Sequence, residues 1–267
     1  MELPVSISER TLSWAGQDAG SCFYERMVER LPVLMERFKA HPRTILDLSC
    51  GDGAFAILLA RQGFKVTGVN TSSWSLEYAR SRAREEGLSI GFLLQDLRNL
   101  SSDFRFDLAT CWFDSLNTLL DEEELYKVFC NVQDVVQPGG VFLFEMNTIY
   151  GLAVHWQWNP CYVHQESEEY FELHRPTYDY ERNIATLRVT RFRRQGEFWQ
   201  RVEEMVQERG YALEELRQVF RESGWEELAC FGDLWKMTPP NMHSARVWFA
   251  LQAPLEGTVR QREDVPG

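Results

Sequence analysis

Short apolar segments alternate with amphipathic segments between residues 44 and 146, and this alternation limits the possible folds more than any other feature. Runs that fit strands lie at 44–49, 65–70, 90–94, 106–112 and 141–146. Segments with helical periodicity separate most of them. Parallel strands need long crossovers, which are usually helices, so the pattern predicts a parallel, doubly wound α/β sheet. Ligands of such sheets bind at the carboxyl ends of the strands.

The chain changes character after Asn147. Polar residues alternate with apolar or aromatic ones in 169–181, 185–194 and 198–208, which predicts three inserted antiparallel strands. A helix and two further strands follow, near 211–251, and complete a main sheet of seven strands that are mostly parallel, with the last one antiparallel.

The same patterns predict the domain organisation. The N-terminal segment has helical periodicity, which Pro32 should kink or split. We expect an N-terminal helical cap (1–43), a core (44–146), an inserted antiparallel lid (147–209), a closing helix and strand pair (210–253) and a mobile tail (254–267).

Charge and composition exclude several classes of function. The 267 residues carry a formal charge of −12, which argues against nucleic acid as a partner. No apolar run is long enough to span a membrane, and the first ten residues lack a secretory signal. The six cysteines form no C-x-x-C pair, so we expect free thiols, no metal site and a cytoplasmic location.

A glycine-rich turn, Asp47-Leu-Ser-Cys-Gly-Asp-Gly53, separates the first strand from the first helix. Glycines let a ligand approach the backbone, and a helix N-terminus offers free N–H donors. The segment from Gly51 to Ala56 also fits the dinucleotide pattern G-x-G-x-x-G/A, so the turn alone leaves a nicotinamide cofactor open.

The wider segment from Ile45 to Gly53 resembles motif I of the class I S-adenosylmethionine (SAM) dependent methyltransferases. Segments 66–70, 94–97, 106–117 and 136–145 resemble the later strand-end motifs of that family, in the same order. The resemblance implies a Rossmann-like fold, SAM as cofactor and S-adenosyl-L-homocysteine as product. The cofactor-binding residues that it implies are Tyr24, Asp47, Ser49, Gly51, Gly53, Asn70, Thr71, Asp96, Leu97, Trp112 and Phe113.

Several of these positions have structural alternatives. Asp47 and Asp96 also fit turn-capping roles, and Tyr24 and Trp14 also fit a helical core. Ser49 stands where the family usually has a glycine. Asn70 replaces the usual acid that accepts from the ribose hydroxyls, which predicts weaker binding, and it also counts against a nicotinamide cofactor.

The acceptor site is predicted after the fourth and fifth strands. Alignment and desolvation supply much of the acceleration in methyl transfer, so a base is not obligatory. His155 is the candidate base, with hydrogen-bonded packing as its alternative role. The substrate-binding candidates are Asp114, Asn117, Asn147, Tyr150 and His174.

We therefore expect a methyltransferase acting on N or O of a small molecule, as a monomer or homodimer, with no nucleic acid or membrane partner. Two alternatives remain at this point. One is a SAM-binding protein with other chemistry, such as SAM cyclisation. The other is an NAD(P)-dependent oxidoreductase.

Overall fold

The computed structural model describes residues 17–155 and 160–255, with side chains from residue 23 onward except that of His155. The helices are α1 (Gln17–Arg37), α2 (Ala54–Arg61), α3 (Ser73–Glu85), α4 (Glu122–Val135) and α5 (Leu213–Glu222). Three single-turn helices lie at Leu97–Asn99, Ser115–Thr118 and Gly151–His155.

Eleven strands are formed by the described part of the chain, in two sheets. The core strands are β1 (Thr44–Leu48), β2 (Lys65–Asn70), β3 (Gly91–Leu94), β4 (Phe106–Cys111), β5 (Val136–Asn147), β10 (Glu226–Phe231) and β11 (Arg246–Gln252). The other sheet contains β6 (Tyr162–Glu166), β7 (Tyr170–Asp179), β8 (Ile184–Gln195) and β9 (Phe198–Arg209).

The core sheet has the order β10-β11-β5-β4-β1-β2-β3. Only β11 runs antiparallel to both of its neighbours, β5 and β10. The predicted seven-stranded, doubly wound sheet with an antiparallel last strand is therefore confirmed. This order differs from the 3-2-1-4-5-6 order of dinucleotide-binding folds, which removes the fold support for an oxidoreductase.

Apolar layers cover both faces of the core sheet. One layer packs α4 and α5 against the sheet through residues such as Phe129, Phe144 and Phe220. The other packs α1, α2 and α3 through residues such as Met27, Phe55 and Leu76. Burial on both faces explains why the parallel strands are almost continuously apolar in the sequence.

The inserted sheet has the order β6-β7-β8-β9 and is antiparallel throughout. The three predicted antiparallel strands are confirmed as β7, β8 and β9, and a fourth strand, β6, was not predicted. The missed strand β6 is short and mostly polar, and it alternates too briefly to be distinguished from a loop.

Helix α1 continues through Pro32, so the predicted split is wrong. Leu31, Leu34 and Met35 around the proline are buried in the core, and this burial holds the helix together despite the lost hydrogen bond. No helix in the two described ranges is long and apolar enough to cross a membrane.

Candidate active site

The carboxyl ends of the parallel core strands meet at one edge of the sheet. Strands β4 and β2 flank β1, and chain connections leave β1 and β4 towards opposite sides, which forms a topological switch point. Asp47, Asn70, Trp112 and Asn147 lie at or next to these strand ends. The fold therefore brings the two halves of the predicted site, after β1–β2 and after β4–β5, to the same edge.

Asp47 is a buried carboxylate with one free oxygen. Its side chain is 2% exposed, and Oδ1 accepts a hydrogen bond from Thr110 Oγ1 at 3.0 Å. Oδ2 has no hydrogen-bond partner among the described residues. Burial raises the pKa of Asp47 to about 7, although the Thr110 hydrogen bond acts in the opposite direction. A cationic group beside Oδ2 would therefore restore the ionised form.

The turn after Asp47 has three residues with left-handed backbone: Ser49 (φ 54°), Gly51 (φ 52°) and Gly53 (φ 76°). A Cβ on Gly53 would lie 2.7 Å from Ala79 Cβ, so only glycine fits against α3. A Cβ on Gly51 would meet nothing within 4 Å among the described residues. The chain at Gly51 therefore borders open space at the N-terminus of α2, as a ligand cradle requires.

Asn70 connects the glycine-rich turn to the start of α3. Its Oδ1 accepts from Thr71 N at 2.7 Å, and its Nδ2 donates to the Gly51 carbonyl at 3.4 Å. An acid here could not make the second bond, because a carboxylate only accepts. The amide thus bridges two turns on the predicted ribose side, and its oxygen is already shared with the backbone of Thr71.

Asp96 caps the short helix at Leu97–Asn99 and pairs with Arg98. Its two oxygens accept from Arg98 Nε, Nη2 and backbone N, the Nη2 contact being 2.6 Å. The Arg98 hydrogen bond lowers the pKa of Asp96. The carboxylate is therefore occupied by its neighbour, whereas Leu97 is half-buried behind it, with its carbonyl accepting from Asn131 at 3.0 Å.

Aromatic rings from α1, α2 and the β4 end converge next to Asp47. The Tyr24 ring stacks on Phe55 at 5.4 Å and lies edge-on to Phe113 at 4.9 Å. Trp112 is buried beside Phe55 at 5.9 Å. Burial raises the pKa of the Tyr24 hydroxyl, and the charge of Asp47 raises it further. Trp14 lies outside the described residues.

Two consecutive left-handed residues follow β4, and a carboxylate holds them. Phe113 (φ 55°) and Asp114 (φ 58°) are both non-glycine residues. Their backbone N–H groups donate to Glu145 Oε1 at 2.7 and 3.3 Å. Successive N–H groups in such a conformation form an anion-binding nest. Here the bound anion is the carboxylate of Glu145 on β5. Glu145 thus fixes the loop that contains Asp114.

Arg246 on β11 joins this loop to the neighbouring strand. Its Nη2 lies 2.8 Å from Asp114 Oδ1, and its Nη1 lies 2.8 Å from Glu145 Oε2. Both acids are buried, with side chains 1% and 0% exposed. The sequence did not single out Glu145 or Arg246. An acid within the apolar run Phe142-Leu-Phe-Glu-Met146 was the available signal, because a buried charge requires a partner.

A third buried acid, Glu208 of the inserted sheet, lies near Asp114, Glu145 and Arg246. Glu208 on β9 is 0% exposed, and its Oε2 accepts from Asn147 Nδ2 at 2.9 Å. Its other oxygen, Oε1, has no hydrogen-bond partner in the described part of the chain. Asn117 ties the two sheets together, because its Nδ2 donates to the carbonyls of Asn147 at 3.0 Å and Arg209 at 2.8 Å.

The acid cluster, defined as Asp114, Glu145 and Glu208, contains three carboxylates around one guanidinium. Burial raises the pKa of Asp114 to about 8, even though Arg246 acts to lower it. Burial also raises the pKa of Glu145 and, well above its ordinary value, that of Glu208. Arg246 cannot neutralise three charges, so the acid cluster must hold protons or a further cation.

His174 lies in the inserted sheet within a hydrogen-bond network of its own. Its Nε2 lies 2.6 Å from Glu172 Oε1 and its Nδ1 lies 3.1 Å from Tyr162 Oη. Burial raises the pKa of Glu172, but hydrogen bonds from His174, Tyr170 and Arg191 outweigh this and lower it to about 2. Both ring nitrogens of His174 are thus engaged, which leaves neither free for a substrate in this conformation.

The two remaining predicted residues precede the inserted sheet. The Tyr150 ring is half-buried and contacts His243 edge-on at 5.5 Å. His155 ends the short helix at Gly151–His155, and its side chain lies outside the described residues. Its role as a base therefore stays a prediction.

Comparison with known proteins finds methyltransferases among the similar sequences. A family described as a methyltransferase domain matches residues 45–140. YqeM of Bacillus subtilis, which is named a methyltransferase, is 28% identical over 78% of this chain and 83% of its own. A Geobacillus protein with a similar name is 31% identical over 48% of this chain. The match spans about half the length of that relative, 56%.

Solved structures share the whole architecture. A SAM-dependent methyltransferase from Clostridium acetobutylicum has a TM-score of 0.77 at 24% identity, covering 86% of this chain and 92% of its own. The SAM-bound amino pentose methyltransferase CalS10 from Micromonospora has a TM-score of 0.62 at 18% identity, covering 95% and 99%. At these identities the likeness shows a common fold.

Proposed function

We propose that this chain, which belongs to the class I S-adenosylmethionine-dependent methyltransferases, methylates an amino nitrogen of a small molecule. The acid cluster favours a nitrogen acceptor over an oxygen acceptor, because the buried Glu208 has a carboxylate oxygen without a hydrogen-bond partner among the described residues. A protonated amine would supply the positive charge that the acid cluster lacks and the hydrogen-bond donor that Glu208 Oε1 lacks.

The residues around the glycine-rich turn fit SAM. The free Oδ2 of Asp47 suits the α-ammonium of the cofactor's amino acid part, and Gly51 borders the space that a nucleotide needs. Tyr24 and Phe113 offer ring faces and edges beside a cationic sulfur. When bound, SAM supplies a methyl group already activated by a positively charged sulfur.

The protein's own contribution is then to bind, orient and deprotonate the acceptor. Glu208 Oε1 accepts a hydrogen bond from the acceptor ammonium and holds it near the β4 and β5 ends. The amine attacks only as the free base, so one proton moves from nitrogen to a carboxylate oxygen of the acid cluster. The acid cluster would thereby leave the nitrogen lone pair free to accept the methyl group that bound SAM would supply, with sulfur keeping the electron pair of the S–C bond.

Positioning supports the same proposal. Glu145 and Arg246 hold Asp114 in a left-handed conformation, and Asn117 locks the inserted sheet onto the strand ends. The rigid frame favours in-line geometry, which supplies a large share of the acceleration in such displacements. The fold neighbour CalS10 is named for an amino pentose, which is an amine-bearing small molecule.

The test is methyl transfer from radiolabelled SAM to matched pairs of acceptors that differ only in NH₂ against OH. Amino sugars and their hydroxyl analogues form suitable pairs. We expect label in the amines alone, with Glu208→Gln lowering kcat/KM about 100-fold while calorimetric SAM affinity stays unchanged. Label in the hydroxyl compounds with inert amines would overturn the nitrogen assignment and leave methyl transfer in place.

A further inference from the structure

Strand β9 forms one edge of the inserted sheet, and among the described residues no strand pairs with its outer side, where Asn117 bonds to the carbonyl of the last residue, Arg209. It pairs with β8 over its whole length, from Phe198 opposite Gln195 to Arg209 opposite Ile184. A twelve-residue edge is long, and native proteins usually shorten, charge or cover such an edge. Strand β9 contains no proline, and its five charged side chains include both arginine and glutamate.

The hairpin geometry determines which backbone groups of β9 face outward. Gly196 and Glu197 form a two-residue loop, closed by the pair of Gln195 and Phe198. In such a hairpin the two residues of the closing pair exchange backbone hydrogen bonds. Along the two strands, every second cross-strand pair does the same. The even-numbered residues of β9 therefore bond to β8. The odd-numbered ones, including Trp199 and Met205, direct their N–H and C=O groups away from it.

Large apolar side chains are exposed along this edge, between charged ones. Phe198, Trp199 and Met205 are 77%, 46% and 68% exposed. Exposed aromatic and methionine side chains next to free backbone groups mark an interaction surface.

The sequence of β9 complements itself when a second copy runs antiparallel to it with Val202 on the twofold axis. Trp199 then lies opposite Met205 of the second copy, and Arg201 lies opposite Glu203 of the second copy. Both pairs consist of odd-numbered residues, so this register uses the outward-facing backbone groups. Phe198 lies opposite Val206 in the intervening, non-bonded positions. Apolar residues thus meet apolar ones, and each arginine meets an acid.

We propose that two copies of this chain associate through β9, forming one continuous eight-stranded sheet across a twofold axis. Arg201 and Glu203 form an ion pair within one chain. In the dimer, each arginine would also face Glu203 of the second copy, so that the four side chains form a ring of alternating charges. The contact is isologous and closes on itself, which satisfies both edges and forms no open filament. This inference depends on the edge alone and is independent of the methyl acceptor.

The first measurement is the mass in solution of the full chain by sedimentation equilibrium. We expect the wild type to have twice the chain mass and Met205→Lys to have the mass of one chain, since two lysines would enter the interface beside the tryptophans. Met242→Lys is the matched control, because Met242 is also highly exposed, at 81%, but lies outside the inserted sheet. This variant should stay dimeric. A monomeric wild type would overturn the proposal.

A cysteine test fixes the register. Val202 faces its own symmetry mate at a non-bonded position, where Cα atoms lie about 4.5 Å apart, within the range of a disulfide. Val202→Cys should therefore cross-link under mild oxidation, seen as a doubled mass on a non-reducing gel. Gln200→Cys should stay uncross-linked, like the wild type with its native thiols. Cross-linking of both variants, or of neither, would contradict this register and overturn the proposal.

Discussion

Thr110 on β4 donates a hydrogen bond to Asp47 on β1, with 3.0 Å between Oγ1 and Oδ1, and it is the only side chain in the described structure that does so. The second oxygen of Asp47 is left without a partner. One neutral donor cannot compensate for burying a charge, which is why the pKa of Asp47 rises to about 7. A cation beside Oδ2 of Asp47 would therefore stabilise the ionised carboxylate. Without a cation, keeping this carboxylate ionised in the folded protein costs free energy.

Asp47→Asn should weaken SAM binding while leaving the unliganded fold intact. The amide keeps the side-chain shape but cannot pair with an ammonium, so we expect the Kd for SAM to rise about 100-fold. Calorimetric titration measures the change. Asp96→Asn provides the comparison, since its oxygens are paired with Arg98, and we expect it to change the Kd less than threefold. Equal losses in both variants would contradict this role of Asp47.

The unliganded protein should lose stability as the pH rises from 4 to 8. Asp47 has an ordinary pKa near 4 when unfolded and about 7 when folded. The folded state therefore binds more protons between these values, and its free energy of unfolding falls as the pH rises through 7. We expect a loss of about 2–4 kcal/mol from this group, measured by urea unfolding at pH 5 and pH 8.

Two variants of the same experiment isolate the source of the pH dependence. Asp47→Asn should show a smaller decrease, because only the acid cluster then contributes in the same direction. Saturating SAM should also reduce it, because a bound ammonium stabilises the ionised form. A wild type whose stability is flat or rises between pH 5 and pH 8 would show that these carboxylates are not held above their ordinary pKa.

Sequence reasoning found the parts of the site that lie close together in the chain. The turn from Asp47 to Gly53 is one contiguous motif, and Asn70 is the last residue of the next strand. The alternation of strands and helices predicted a mostly parallel sheet, since parallel strands need helical crossovers. These features are local, and a single segment of sequence is enough to predict each.

The acid cluster could not be predicted in the same way. Glu145, Glu208 and Arg246 come from β5, β9 and β11, and only the folded chain brings them together. Glu208 lies in a strand with many charged residues, where it looks like a solvent-exposed position. Asp114 and Asn117 were predicted as substrate residues, but the contact of Asn117 with Arg209 depends on how the inserted sheet docks.

Arg246→Met should destabilise the protein, and more strongly at pH 8 than at pH 5. The substitution leaves three buried carboxylates without their cation, for which we expect a loss of about 3–5 kcal/mol. At pH 5 the carboxyl groups avoid this penalty by holding protons, so the loss should be smaller. Arg217→Met is the control, because its pair with Glu227 at 2.9 Å is partly exposed. Urea unfolding should show a loss below about 1 kcal/mol there.

The two glycines of the turn should respond differently to alanine. At Gly53 a Cβ would lie 2.7 Å from Ala79 Cβ, at φ 76°, so both crowding and backbone strain apply. We expect Gly53→Ala to destabilise the protein by about 3 kcal/mol. At Gly51 the space is open, and only the strain of φ 52° remains. Gly51→Ala should therefore cost about 1 kcal/mol.

Ligand binding separates these two positions further. Our proposal places the cofactor in the open space beside Gly51. Gly51→Ala should therefore raise the Kd for SAM at least tenfold in a protein that still folds. Gln62→Ala, at the far end of α2, serves as a folded control and should bind SAM normally. If Gly51→Ala unfolds as readily as Gly53→Ala, the space beside Gly51 is not open. If Gly51→Ala is stable and binds SAM as tightly as the control, the cofactor does not lie against this turn.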